Sequence, residues 1–124
     1  MIFVVDTSSF QRFLAGVLDR DTSAVQDTMT RHEAYLPPVV VTEALSNRFL
    51  DDNTVAFILR MPMLPLLAGY WRRAGEMRAN RLSRALKAKL ADTLIAQCCL
   101  DYDAPLITHN DDFDNFVDLG LKLL

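Results

Sequence analysis

Only two of the 124 residues are cysteines, and they are neighbours, Cys98 and Cys99. Adjacent side chains on a helix diverge, so this pair is badly placed to bridge itself. Without a third cysteine a zinc cluster is not expected either. Both read as small core residues. No apolar run approaches the ~20 residues needed to span a bilayer, because charged residues interrupt each one. The first residues lack the basic leader of a secretory signal. A soluble, cytoplasmic protein with no membrane contact is therefore the expectation. Internal repeats, low-complexity tracts and linkers are also missing. What remains is ordinary globular material, 51% hydrophobic and 23% charged, which excludes global disorder. The length suits one domain over residues 1–124 with its own core.

The chain starts on a run of four apolar residues, Ile2-Phe3-Val4-Val5, and then stops at Asp6-Thr7-Ser8-Ser9. An unbroken apolar run reads as a strand buried on both faces, since a half-exposed strand would alternate with polar residues. In open α/β sheets ligands bind outside the carboxyl ends of the strands, which is where Asp6 would fall. The competing reading is a plain N-cap for the next helix, because Asp, Ser and Thr all accept capping hydrogen bonds. Phe10, Phe13, Leu14, Val17 and Leu18 recur at helical spacing, with Gly16 inside the pattern. Asp21-Thr22-Ser23 offers a cap for a second helix carrying Val25 and Met29. Pro37-Pro38 then breaks the chain before Val39-Val40-Val41, a β-type run expected to form the second strand and to end at Thr42 and Glu43.

Glu43-Ala44-Leu45 is expected to open the next helix, and Asp51-Asp52-Asn53 to cap another over Val55, Phe57, Ile58 and Leu59. A short edge strand is expected around Leu64 to Leu67, where an edge tolerates Pro65. A helix from Tyr70 should pass through Gly75, and a break before Asp92 is compatible with the leucine spacing. Asp92 to Leu100 reads as a helix in which Ile95, Ala96 and Cys99 share the face of Asp92. A carboxylate in line with an apolar stripe needs a partner, whether a backbone cap, an arginine or a metal ion. Pro105 to Thr108 is the last short strand, running into His109-Asn110-Asp111-Asp112-Phe113-Asp114, and Gly120 marks a turn. The alternation of strands and helices predicts an α/β fold with a mostly parallel sheet.

The net charge is −3, yet the charges are unevenly spread. Arg72, Arg73, Arg78, Arg81, Arg84, Lys87 and Lys89 face one acid, Glu76, while the tail carries Asp101, Asp103, Asp111, Asp112, Asp114 and Asp118. Such a split points to a polyanion handled beside an acidic site, or else to a solvated helix face. If the strand ends share one edge, Asp6, Glu43, Asp92 and the Asp111/Asp112 pair converge. Mutual repulsion would then raise their pKa values unless a cation neutralised them. All-oxygen donors suit Mg²⁺ or Mn²⁺, which can acidify a bound water and stabilise charge on a phosphoryl oxygen. That chemistry is metal-assisted phosphodiester hydrolysis.

Four segments carry a resemblance: Val4-Val5-Asp6-Thr7-Ser8, Val41-Thr42-Glu43-Ala44-Leu45, Ala91-Asp92-Thr93-Leu94-Ile95-Ala96 and Leu106-Ile107-Thr108-His109-Asn110-Asp111-Asp112-Phe113. In this order they resemble the successive motifs of PIN-domain ribonucleases, in particular the VapC-like toxins of toxin–antitoxin pairs. The resemblance spans essentially the whole chain and implies a three-layer α/β/α sandwich, Mg²⁺ or Mn²⁺, an RNA substrate, a homodimer and a cognate antitoxin. It implies that Asp6 and Asp92 bind the ion and that Glu43 binds it or positions water. The family's fourth acid falls on Asn110, so Asp112 or Asp111 would complete the shell. Thr7, Ser8 and Thr108 match small polar positions that fix the acids. Arg72, Arg73, Arg78, Arg81, Arg84 and Lys87 are candidates for gripping phosphates.

Neither His32 nor His109 has a visible partner, so neither reads as a general base. Trp71, Tyr70 and Phe113 read as packing residues rather than base-stacking ones. Two rivals share the fold: a nuclease of RNA processing or repair without an antitoxin, and a PIN-like binding module that has lost catalysis. Asn110 favours the second rival; three retained acids argue against it, because a binding surface gains nothing from clustered like charges.

Overall fold

The computed structural model describes residues 1–124. Strand β1 (Phe3–Val5) lies at the centre of a three-stranded parallel sheet in the order β2-β1-β3, with β2 at Ala34–Tyr35 and β3 at Leu106–Ile107. Phe3 is in register with Ala34, and Val4 with Leu106. Val4 and Val5 point to opposite faces of the sheet, and both are 0% exposed. Both faces are therefore covered, which is why this strand reads as a continuous apolar run. The covering layers are six α-helices, α1 (Thr7–Leu14), α2 (Arg20–Thr30), α3 (Pro38–Leu45), α4 (Asp52–Arg60), α5 (Tyr70–Ser83) and α6 (Leu90–Tyr102), with a closing 3₁₀ helix at Asp111–Leu119. The result is the expected α/β/α sandwich around a parallel sheet.

Two expected strands are absent. Val39-Val40-Val41 lies inside α3, not in the sheet. Pro38 sits at the first helical position, where its fixed φ suits a helix and its missing N–H costs nothing. Val40 and Val41 both donate to the carbonyl of Pro37, so the β preference of three valines yields to this start. The strand beside β1 is instead Ala34–Tyr35, just before the prolines. The segment 64–67 forms no strand; a single bridge joins Leu36 to Met63, between Pro62 and Pro65, which lack the N–H groups to extend it.

Helix ends also shifted. Asp19, not Asp21, caps α2, and Thr22 completes the capping box by accepting from the Asp19 amide at 2.9 Å. Glu43-Ala44-Leu45 closes α3 instead of opening a helix. Asp51 caps α4 as expected, accepting from the Thr54 amide at 2.7 Å. Between α5 and α6 the chain breaks at residues 84–89, with Ala85 at φ +57°. Cys98, Cys99, Tyr70 and Phe113 are core residues, whereas Trp71 is exposed.

The basic segment is largely spent on holding the fold. Arg81 is 1% exposed, and its guanidinium donates to the Asn115 carbonyl at 3.1 Å and to Asp118 at 2.6 Å. Arg84 also reaches Asp118, Arg73 pairs with Asp101, Arg72 with Glu76, and Arg78 donates to the Ala88 carbonyl. Arg81 is thus a clamp between α5 and the closing 3₁₀ helix, and burial removes it from the phosphate-gripping candidates. Arg81→Ala is expected to destabilise the protein by about 2–3 kcal/mol, from lost packing and hydrogen bonds. Arg72→Ala, at an exposed pair, should stay within about 0.5 kcal/mol. Urea unfolding midpoints for the two variants check this.

Candidate active site

Asp6 ends β1 and caps α1, so the two readings of this residue are one structure. Its Oδ1 accepts from the Ser9 amide at 2.8 Å, which starts the helix. The Ser8 hydroxyl lies 2.9–3.0 Å from both carboxylate oxygens, and Thr108 donates to Oδ2 at 2.6 Å. Thr108 arrives there because β3 runs parallel to β1 and ends level with it. Asp6 is 1% exposed, and this burial pushes its carboxyl up from the ordinary value, against the pull of these hydrogen bonds.

Glu43 comes to the same place from the last turn of α3, one layer away from where a strand end would have put it. Thr7, the first residue of α1, donates to its Oε1 at 2.5 Å. Asp92 lies in the first turn of α6, and its Oδ2 is buried with no hydrogen-bond partner. Burial pushes the Asp92 carboxyl up, and the negative charges of Asp112, Asp6 and Glu43 push it further, against Lys89. Three acids far apart in sequence, Asp6, Glu43 and Asp112, therefore all act on Asp92. A space of about 260 Å³ is bounded by Asp6, Thr7, Ser8, Gln11, Glu43, Lys89, Ala91, Asp92, Ile95 and Asn110.

Around the rim, the tail residues divide. Asn110 caps the 3₁₀ helix, its Oδ1 accepting from the Asp112 amide at 3.0 Å, while its own amide donates to Thr108 at 2.9 Å. Asp112 is half-buried and ion-paired with Lys87 at 3.0 Å; Asp111 is exposed. Of the two tail acids, Asp112 is the one that bears on Asp92. Arg72, Arg73, Arg78, Arg81, Arg84 and Lys87 do not line the cleft. One cleft residue escaped the sequence reading, Gln11; Lys89 entered it only as one of seven bases in the basic segment. Gln11 could have been found, since it lies four residues after Thr7 on the same helix face.

A second acidic group lies elsewhere: Asp19, Asp21 and His109 present ligand-type atoms within 4.8 Å of one another. Arg12 already neutralises it, reaching Asp19 at 2.7 Å and Asp21 at 3.0 Å. Asp21 also accepts from Ser9 at 2.8 Å. Asp92 has only the exposed Lys89 acting on it and no hydrogen bond at its buried oxygen, so the acids around Asp6 have the greater need of an ion.

The PIN domain model matches residues 3–119. The chain belongs to the PIN domain family. Among solved structures it is similar to VapBC2 from Rickettsia felis bound to a DNA fragment from their promoter, at a TM-score of 0.76 and 19% identity, over 100% of this chain and 98% of that one. It is also similar to FitAB bound to an IR36 DNA fragment, at a TM-score of 0.73 and 15% identity, over 99% and 94%. No curated protein matches the sequence. The four motifs thus lie on a PIN fold, and nuclease activity is the expectation for this family. No helix of this PIN domain is long and apolar enough to cross a membrane.

The electrostatics give a stability prediction for metal-free protein. A raised carboxyl pKa means the folded chain holds a proton that the unfolded chain has lost, so stability falls as pH rises through that window. Asp92→Asn removes the charge and should raise the melting temperature in chelator at pH 8 by roughly 4 °C, the shift that about 1 kcal/mol produces at this size. The gain should shrink as pH falls through the ordinary carboxylate range, below which Asp92 is protonated in both states. Calorimetry between pH 4 and 8 checks both parts.

Proposed function

We propose that this PIN domain is a Mg²⁺- or Mn²⁺-dependent endoribonuclease, and the toxin of a toxin–antitoxin pair acting in the cytoplasm. The observation that carries the reading is the buried, unpartnered Oδ2 of Asp92 amid three other carboxylates. A buried anion without a hydrogen bond is costly, and the other two acids of the cleft, with Asp112 at its rim, compound the cost. An all-oxygen donor set of this kind fits a hard divalent cation. Asp6, Asp92, Glu43 and Asp112 are the residues that would hold it. When bound, the ion supplies charge neutralisation for the phosphoryl group and activation of water.

The chain's own groups have separate tasks. Ser8, Ser9 and Thr108 fix Asp6, so its carboxylate needs no reorganisation when the substrate arrives. Thr7 fixes Glu43, the acid we assign to orienting the attacking water. Asn110 sets the start of the 3₁₀ helix and with it the position of Asp112; Asp111, exposed beside it, faces solvent. Hydrolysis joins the water oxygen to phosphorus and releases one ribose oxygen, with no covalent enzyme intermediate. The toxin assignment draws on VapBC2 and FitAB, both solved with DNA fragments, as fold neighbours. On that analogy the partners are a cognate antitoxin and a second copy of this chain.

The test is Mn²⁺-dependent cleavage of a panel of RNAs by the native chain and by Asp6→Asn. The variant should be slower by about 10²-fold or more, as when one preorganised electrostatic group is lost from a site. Saturating Mn²⁺ at 100 times its Kd should stabilise the native chain by about 2.7 kcal/mol and the variant much less. An equally pure, folded Asp6→Asn protein that cuts as fast as the native chain would sink the reading.

A further inference from the structure

Among the ten residues that bound the acidic cleft, Lys89 is the one base. Its backbone is pinned. The Lys89 carbonyl accepts from the Thr93 amide and from the Thr93 hydroxyl, each at 2.9 Å. The preceding residue, Ala88, is buried and accepts from Arg78 at 2.8 Å. The side chain, by contrast, is 62% exposed. Lys89 is the N-cap residue of α6 and makes no side-chain capping bond. A Ser or Asp there would satisfy a helix amide, whereas a lysine forgoes that bond and sets a cation at the positive end of the helix dipole. Local structure thus disfavours lysine at this position.

Nor is Lys89 needed for the ion pairs of the fold. Asp112 already has Lys87 at 3.0 Å, and Lys89 stands off at 4.0 Å. The other six bases between Arg72 and Lys89 each have a closer partner, as described above. We propose that Lys89 grips a backbone phosphate of the RNA within the cleft, next to the phosphodiester that is cut, and so positions the substrate. This rests on the ribonuclease reading. An ammonium group offers three donors, no acceptor and a compact charge, which suits a phosphate oxygen. Because every nucleotide carries the same phosphate, the contact adds affinity without choosing a sequence.

The test compares Lys89→Ala, Lys89→Arg and Lys87→Ala with the native full-length chain, using Mn²⁺ and a short single-stranded RNA that the native chain cuts. Lys89→Ala should raise KM about tenfold, the loss of one charge-assisted contact, with the change falling on KM rather than kcat. Its log KM against log salt should flatten by about 0.7, one phosphate's worth of counterion release on a single strand. Lys89→Arg should restore most of both. Lys87→Ala should leave the salt slope as it is in the native chain. Melting temperature should be shared by the native chain and Lys89→Ala, and Mn²⁺ affinity, titrated with the metal alone, should be equal or higher in the variant, because a positive charge beside Asp92 is gone. The proposal is overturned if Lys89→Ala keeps the native KM and salt slope, or if its defect follows a loss of Mn²⁺ affinity that arginine does not repair. If the native chain cuts no RNA in the panel, it is the ribonuclease reading that falls first, and this proposal with it.

Discussion

A carboxylate almost removed from water is the constraint on which the rest of this molecule depends. Asp6 sits at the end of the central strand, where both sheet faces are covered and only the strand's carboxyl edge opens. Hydrogen bonds to a charged acceptor contribute about 1.5–3 kcal/mol each, and Asp6 receives them from Ser8, Ser9 and Thr108. Desolvating the charge costs several kcal/mol, and its raised pKa shows that the cost is not fully offset. The same hydrogen bonds build the fold around the charge. The bond from Ser9 starts α1, and the bond from Thr108 ties together the ends of two strands that lie 102 residues apart. The fold therefore stores an unmet need for positive charge at its centre, and Glu43, Asp92 and Asp112 deepen it.

Between the basic middle of the chain and its acidic tail the charges are largely matched. Arg73 with Asp101, Arg81 and Arg84 with Asp118, and Lys87 with Asp112 join the basic middle of the chain to its acidic tail, while Lys122 pairs with Asp103 within the tail. The uneven distribution along the sequence is thus one half of the chain answering the other in space. Most of these pairs are exposed and contribute little individually. Arg81 differs, because its buried guanidinium finds acceptors on its own helix and on the 3₁₀ helix. Much of a distribution that could serve as a phosphate-binding face is taken up by these pairs, and that contrast makes the unmatched acids of the cleft informative.

How far the sequence could be read follows from which signals were local. β1, β3, the cap at Asp51 and helix α6 were all legible, because an apolar run, a capping side chain or a helical stripe declares itself within a dozen residues. Helix α3 was not. Three consecutive valines carry a strong strand signal, and only the proline pair before them, fixing the first turn, reverses it. The true β2 is two residues long, too short to show any period, and its pairing with β1 is decided at a distance. The positions of Asp6, Glu43 and Asp92 were legible as acids next to punctuated apolar runs. The route by which Glu43 reaches the cleft was misread, since a helix delivers it and not a strand. Lys89 was visible only as one base among seven, because separating it from the others requires knowing which of them are already paired.

Asn110 is the residue at which the chain departs from the acidic pattern it resembles, and the hydrogen bonds give that departure a physical sense. A relay runs from Asp112 through its amide to the Asn110 side chain, from the Asn110 amide to Thr108, and from Thr108 to Asp6. An aspartate at position 110 could accept from the Asp112 amide equally well, so capping alone does not require asparagine. What asparagine changes is charge. An acid there would stand in the same cleft as Asp6, Glu43 and Asp92, and would add repulsion where burial has already raised two carboxyl pKa values. With a neutral cap, the last carboxylate is Asp112, two residues on, where Lys87 balances it from outside the cleft. Asp112 is still the foremost charge acting on Asp92, so the cleft keeps the field of a fourth acid without a further buried anion. On these grounds asparagine at 110 moves the acid outward and does not by itself dismantle the site, which weighs against an inactive binding module.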